Sequence, residues 1–405
     1  MDIEIRPVGM ESFDAFMASA SLAFADHVDP KEVERERLVF EPDRALAAFD
    51  GPDMVGTAIA ASFRMSVPGG EVATAGVTGV GVVPTHRRRG VMTGLMRRLL
   101  DGIRDRGEPV AALWASEGRI YGRFGFAVGT FMSVLGIDRP YAELDVDTEP
   151  RRIRVLDRAG AIAAFAPVYE AARGMRPGMM ARNDAWWEYR VRDVEEDDEP
   201  GFGKPFFVLS EGPDGPDGYA MYRTKQDWTT GGPNGTLDVI ELVSLGPDPE
   251  AALWRYCFGV DLMSRVQAWL GPADDPLVHM VADPRRLTRK LRDALWIRLV
   301  DVPAALAARR YPGRDRLVIG VRDAVCPWNE DRFELEAGPD GAECRVSTRT
   351  PDLVLSATDL GAIYLGGVRL ATLWRSGRVP GDEDVILRMD RLFDRRPGPW
   401  CPNLF

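Results

Sequence analysis

The chain has 405 residues, too many for one ordinary hydrophobic core, and its 45% apolar and 28% charged content is that of a globular protein with roughly three domains. With 62 acidic against 51 basic residues the net charge is −11, which argues against nucleic acid and anionic membranes as partners and favours a cationic ligand. Four cysteines without metal-like spacing and three histidines argue against a disulfide scaffold, a metal site and a histidine-based triad. No apolar run approaches the ~20 residues of a membrane span, and MDIEIRPVGM lacks the basic and apolar regions of a signal peptide, so a cytoplasmic protein is expected.

In chain order, residues 3–7 read as a strand, 13–25 and 30–38 as helices, and 45–50 and 54–65 as strands. Val67-Pro68-Gly69-Gly70 is a hairpin signal that separates antiparallel strands. The segment Phe24-Ala25-Asp26-His27-Val28-Asp29 follows the first helix, and each of its carboxylates taken alone reads as a cap or a solvated side chain.

The most informative stretch follows. Val77, Val80, Val82 and Val83 are β-branched residues suited to a buried strand, and Pro84 cannot donate to a ladder, so pairing ends there. Helical spacing resumes with Val91, Leu95, Leu99 and Ile103. The free N–H groups of that helix therefore fall between about Arg88 and Thr93, where the helix dipole favours an anion. Gly90 allows close approach to the backbone, and Arg87, Arg88 and Arg89 add charge that does not titrate away. An RRRG turn in isolation is more often a solvated basic turn; the strand before it and the amphipathic helix after it favour the anion site.

Residues 110–115 read as the next buried strand, with Ser116 as a helix N-cap for the short segment Glu117-Gly118-Arg119-Ile120-Tyr121-Gly122-Arg123-Phe124-Gly125-Phe126. A phenol with reference pKa near 10 can protonate a departing thiolate if held close, whereas an isolated YxxFxF is ordinary core.

A polar patch over 145–152 marks a boundary, after which strands at 152–156, 206–210, 218–223 and 236–243 and helices at 159–173 and 249–260 repeat the order of the first region. Ser244-Leu245-Gly246-Pro247-Asp248-Pro249 replaces the basic turn, so no cofactor is expected there, and Trp186 and Trp187 read as packing anchors. From about residue 299 come strands at 316–321, 332–337 and 344–348 and a helix at 360–366. The chain ends Arg396-Pro397-Gly398-Pro399-Trp400-Cys401-Pro402-Asn403-Leu404-Phe405, stiffened by three prolines and carrying large apolar side chains, so this end is expected to dock into a groove.

The strand, basic turn and helix resemble the coenzyme A motif of the GNAT N-acetyltransferases, Q/R-x-x-G-x-G/A, with Arg87 and Gly90 at its first two fixed positions and Met92 at the third. The longer string PTHRRRG is similar to the Eis branch, and IYGRFGF resembles the GNAT segment that carries a catalytic tyrosine. The resemblance implies a mixed α/β (α+β) chain: a catalytic GNAT domain over 1–145, a degenerate second GNAT-like domain over 146–298, and a sterol-carrier-like domain over 299–405 whose end docks into the first. It implies acetyl-CoA as co-substrate, held by the backbone of Val80, Gly81 and Val82 and by the turn from Arg87 through Arg88, Arg89, Gly90, Val91 and Met92 to Thr93, with Ser116 and Glu117 beside it. In the same way it implies Tyr121 as general acid, the α-carboxylate of Phe405 as general base, Asp26 at the acceptor pocket, no metal, and a hexamer. An α-carboxyl group, with reference pKa near 3.5, needs burial or a relaying water to serve as that base. The expected reaction is direct acetyl transfer to a primary amine of an aminoglycoside, a polyamine or a lysine side chain. The other class is a non-catalytic acyl-CoA or lipid-binding protein, although a sterol-carrier fold by itself implies no lipid role.

Overall fold

The computed structural model describes residues 3–192 and 201–405. It forms two compact units: Met1–Thr130 with Ala294–Pro399 and Asn403–Phe405, and Phe131–Asp293 with Trp400–Pro402. In the first unit the elements leading to the site are β1 (Glu4–Pro7), α1 (Phe13–Ala23), α2 (Pro30–Arg37), β2 (Ala45–Asp50), β3 (Asp53–Val67), β4 (Gly70–Val82), α3 (Val91–Asp105), β5 (Val110–Trp114), α4 (Gly118–Tyr121) and β6 (Ala127–Val128). Their seven-stranded sheet runs β1, β2, β3, β4, β5, then the strand Leu295–Leu299, then β6. β3 and β4 form a long hairpin that turns at Pro68-Gly69, as the sequence predicts. α3 buries Val91, Leu95, Met96, Leu99, Leu100 and Ile103 in one core with Val77, Val80 and Val82 of β4 and with Tyr121, Phe124 and Phe126.

β4 and β5 are parallel, yet their ladder covers only Thr74 to Gly76 against Val110 to Ala112. β5 is held on its other side along its whole length by the antiparallel strand Leu295–Leu299, which pairs Leu295 with Trp114 and Leu299 with Val110. A buried fork, Arg44 Nη1 to Glu108 Oε1 at 2.7 Å and Nη2 to Oε2 at 2.6 Å, fixes the chain just before β5. The rest of this unit is a four-stranded sheet, Ala342–Val346, Arg332–Ala337, Asp315–Arg322 and Leu353–Ser356 in spatial order, with helices Ala357–Ile363, Leu370–Arg375 and Glu383–Phe393.

The second unit has its own seven-stranded sheet, in which β7 (Phe131–Asp138) lies between Thr288–Asp293 and Met263–Pro272, followed by Gly235–Ser244, Gly215–Lys225, Phe206–Gly212 and Arg152–Leu156. A parallel pair in it, Gly235–Ser244 with Met263–Pro272, is joined by the helix Pro247–Gly259, which repeats the β4–α3–β5 order. The first turn of that helix carries Asp248 and Glu250, and Glu250 accepts from Ser244 Oγ at 2.5 Å and Trp254 Nε1 at 3.0 Å. Trp186 and Trp187 are both buried, and Trp187 packs edge-on to Tyr169 with ring centroids 5.5 Å apart.

Strand β7 therefore lies before the polar patch at 145–152 and is hydrogen-bonded into the second sheet, while Leu295–Leu299 returns to the first. Neither strand is read from the sequence. β7 is buried on both faces for most of its length and shows no clean alternation, and Leu295–Leu299 contains Arg298, whose fully buried guanidinium pairs with Asp323 at 2.6 Å.

Glu241 is a buried carboxylate of the second unit with several partners. Arg182 donates to both its oxygens at 2.9 and 2.8 Å, Arg190 Nε donates at 3.0 Å and the Tyr219 hydroxyl at 2.5 Å. Burial alone raises the pKa of this carboxyl group, but the two guanidinium charges and the donated hydrogen bonds outweigh it and bring the pKa from 4.5 to about 2. A depressed folded-state pKa stabilises above the unfolded value of 4.5, and that stabilisation drains away as the pH falls toward about 2. Glu241→Gln, which removes the negative charge that the buried Arg182 and Arg190 face, is expected to cost about 3–5 kcal/mol at pH 7. The cost should shrink by about 2 kcal/mol at pH 3, as urea denaturation of both proteins at the two pH values would show.

Candidate active site

Beyond Gly76, β4 has no ladder partner on the β5 side among the described residues, so the two parallel strands splay and leave an opening in the sheet. The local sequence explains why β4 turns its backbone there. Thr57 pairs with Gly81 and Ile59 with Thr78, so β4 holds one extra residue in this interval. Gly79 takes φ +58°, a conformation glycine adopts without cost, and its carbonyl accepts from Thr57 Oγ1 at 2.7 Å. The opening encloses a cavity of about 330 Å³. Residues 77–80 of β4 form one wall, Trp114, Ala115, Ser116 and Tyr121 the other, and Phe24 at the end of α1 closes a third side.

At the end of β4, Pro84–His86 form a 3-10 turn, with His86 Nε2 3.1 Å from Asp50 Oδ2. Arg87 lies extended, Arg88 takes φ +63° and Gly90 takes φ +84° as the N-cap of α3. A left-handed conformation is uncommon for a residue with a Cβ, and such outliers concentrate at ligand clamps. No side chain caps α3, so the first N–H groups of Val91, Met92 and Thr93 have no acceptor within the helix. A Cβ placed on Gly90 meets nothing within 4 Å, which leaves room at the helix start. This concave run of amides, with the exposed Arg88 and Arg89 beside it, has the donor set and the sign of charge that fit a diphosphate.

Not every residue expected at the site plays a like part in the geometry. Val80, Ser116 and Tyr121 line the cavity, while Gly81 and Val82 are buried farther along β4. Arg87 donates from Nη2 to the Ala23 carbonyl at 2.6 Å and from Nε to the Val82 carbonyl at 3.2 Å, so its side chain braces the turn against α1 and β4. Met92 is half-buried and its sulfur accepts from Arg123 Nη2 at 3.4 Å. Ser116 does not cap a helix: α4 begins at Gly118, Glu117 occupies the cap position without a capping hydrogen bond, and the Ser116 side chain lines the cavity beside Tyr121 instead. Asp26 is exposed and its carboxylate accepts from the His27 N–H at 2.7 Å; the residue of this loop that faces the cavity is Phe24.

Tyr121 is 4% exposed and packs edge-on to Phe126 with ring centroids 6.4 Å apart. Burial pushes its phenol above the ordinary value of 10, the Ser116 hydrogen bond pulls it down and the Glu117 charge adds to the rise. The phenol is therefore neutral throughout the physiological range and available as a donor.

The end of the chain packs against β4 at Gly76, one residue before the cavity wall begins at Val77. The Phe405 ring lies 5.0 Å from that of Phe63 on β3. A Cβ on Gly76 would come within 3.0 Å of Phe405 Cε2, so the absence of a side chain at 76 makes room for the terminal ring. Gly76 is the last β4 residue paired with β5, which puts Phe405 at the inner end of the splay. Trp114, at the end of β5, donates from Nε1 to the Asn403 carbonyl at 2.8 Å. The sequence reading gave Trp114 and Phe24 no part in the site, because nothing local marks an indole near the end of a buried strand or an aromatic at the end of a helix as facing a cavity.

Among the described residues no helix is long and apolar enough to cross a membrane, and no group of three potential metal ligands is found. Residues 4–129 match the acetyltransferase (GNAT) domain family, 178–299 match a second acetyltransferase (GNAT) domain family and 302–402 match the sterol carrier protein domain family. An uncharacterised N-acetyltransferase of Streptomyces avermitilis is 40% identical over the full length of both chains. The N-acetyltransferase Eis of Mycobacterium tuberculosis is 33% identical over 92% of each chain. The crystal structure of Eis1 from Mycobacterium abscessus superposes with a TM-score of 0.86 at 34% identity, covering all of both chains. Two GNAT domains followed by a sterol-carrier-like domain, together with relatives of this similarity along the whole chain, make the protein a member of the Eis family of GNAT N-acetyltransferases.

Proposed function

We propose that the protein transfers the acetyl group of acetyl-CoA directly to a primary amine, with no acetyl-enzyme stage. Acetyl-CoA, the acetyl donor of GNAT enzymes, supplies an activated thioester. On this reading the amides from Arg88 to Thr93, with Arg88 and Arg89, hold its diphosphate, the backbone of Val80, Gly81 and Val82 and the side of Ser116 and Glu117 hold its arm, and Arg87 keeps the turn in shape. The Phe405 carboxylate, directly or through one water, takes a proton from the substrate ammonium so that the neutral amine attacks the thioester carbonyl, and Tyr121 gives a proton to the sulfur as the carbon–sulfur bond breaks. The new carbon–nitrogen bond replaces the carbon–sulfur bond, and the nitrogen gives up two protons, one leaving to solvent through the terminal carboxylate and the other restoring the proton that Tyr121 gave to sulfur. The observation that supports the reading is a buried neutral tyrosine lining the cavity that opens where β4 parts from β5, with the terminal residue packed at Gly76, the last residue of β4 paired with β5. The net charge of −11 favours a cationic acceptor, a polyamine, an aminoglycoside or a lysine side chain, and Asp26, on the exposed loop after Phe24, is its proposed partner. The same reading makes the working form a homo-hexamer.

Thiol release from acetyl-CoA in the presence of polyamines, lysine peptides and aminoglycosides tests this. At least one class should release CoA at a rate proportional to enzyme. Tight acetyl-CoA binding without release by any amine would instead assign a non-catalytic acyl-CoA-binding role.

A further inference from the structure

We infer that Trp114 is the positioning residue of the reaction: its indole N–H latches the carboxyl terminus so that the last carboxylate is held at the cavity. The inference rests on the proposed use of that carboxylate as a base and goes beyond it by naming the group that sets its place.

Trp114 is the last residue of β5, and its backbone is fixed by pairing with Leu295, so the indole projects from a rigid element at the point where β5 has parted from β4. One face of this residue lines the cavity beside Ser116 and Tyr121. The ring nitrogen donates to the Asn403 carbonyl at 2.8 Å, joining residues 289 positions apart in the chain. Asn403 itself is 3% exposed, whereas Leu404 and Phe405 are half-buried and belong to no helix or strand. The latch therefore acts two residues before the terminal carboxylate, and the Phe63 contact to the Phe405 ring holds the final side chain. A carboxylate held at both these points has few orientations; freed from the first, it swings about the second. A misplacement of about 1 Å at a reacting centre is enough to cost ~100-fold in rate.

Trp114→Phe keeps an aromatic wall and removes only the donor. In the full-length protein, kcat is expected to fall at least tenfold with KM for acetyl-CoA within twofold. Hydrogen exchange of a peptide covering 400–405 should accelerate at least tenfold while the melting temperature and exchange in β5 stay near the parent values. The pH profile should keep its shape, because the same groups titrate in fewer productive molecules. Unchanged kcat in Trp114→Phe, alongside a collapse of turnover when one glycine is added after Phe405, would overturn the latch and leave the carboxylate's role standing. Unchanged kcat in both variants would remove the carboxylate and the latch together. A lower kcat with no change in exchange at 400–405 would make Trp114 a cavity wall only and would also overturn the latch.

Discussion

One glycine added after Phe405 is expected to lower kcat by about 100-fold or more, because the group lost is a general base and such groups contribute ~10²–10⁴ in rate. The extension turns the α-carboxylate into a neutral amide and moves the new carboxylate a full residue away from its position. The Phe405 ring can still rest on Phe63 and over Gly76, so the tail keeps its docking contact while losing its chemistry. The amide run at the start of α3 is untouched, and acetyl-CoA affinity measured by calorimetry should stay within twofold. Phe405→Ala is the informative companion: it keeps a terminal carboxylate and loses the ring that anchors it, and should fall between parent and extended chain. Extended protein with parental kcat would show that the terminus is a structural plug.

Tyr121→Phe is expected to cost about 100-fold in kcat, again with acetyl-CoA affinity nearly unchanged, since the ring keeps its packing against Phe126 and only the hydroxyl is removed. Burial, offset in part by Ser116, raises the phenol's pKa above 10. Tyr121 is therefore protonated below that value, and rising pH deprotonates it only on the far alkaline side. Any fall in kcat that begins below pH 10 must come from another group and should persist in Tyr121→Phe. A thioester whose thiol is markedly more acidic needs no proton to depart, so the variant's defect should shrink with that substrate. An equal defect with both thiols would assign Tyr121 to packing.

The part of the site written in one contiguous stretch was legible before any coordinates. β-Branched residues ending at Pro84, then three arginines, Gly90 and an apolar stripe at helical spacing describe a strand, a turn and a helix whose geometry follows from local backbone preferences. Ser116 shows the limit of that approach. Its type suits an N-cap, but the helix starts two residues later at Gly118, and the fold turns the Ser116 side chain to the cavity beside Tyr121.

By itself, then, the sequence determined the family, the amide-lined turn and the tyrosine segment, because each is encoded by neighbours along the chain. Tertiary structure alone decided that Leu295–Leu299 backs β5, that β7 joins the other sheet, that Arg87 braces α1, and that Trp114 meets Asn403. The physical reason is that a strand's alternation states which face is buried but not which edge finds which partner. A single N–H···O bond across 289 residues has no signature in either of the short stretches it joins.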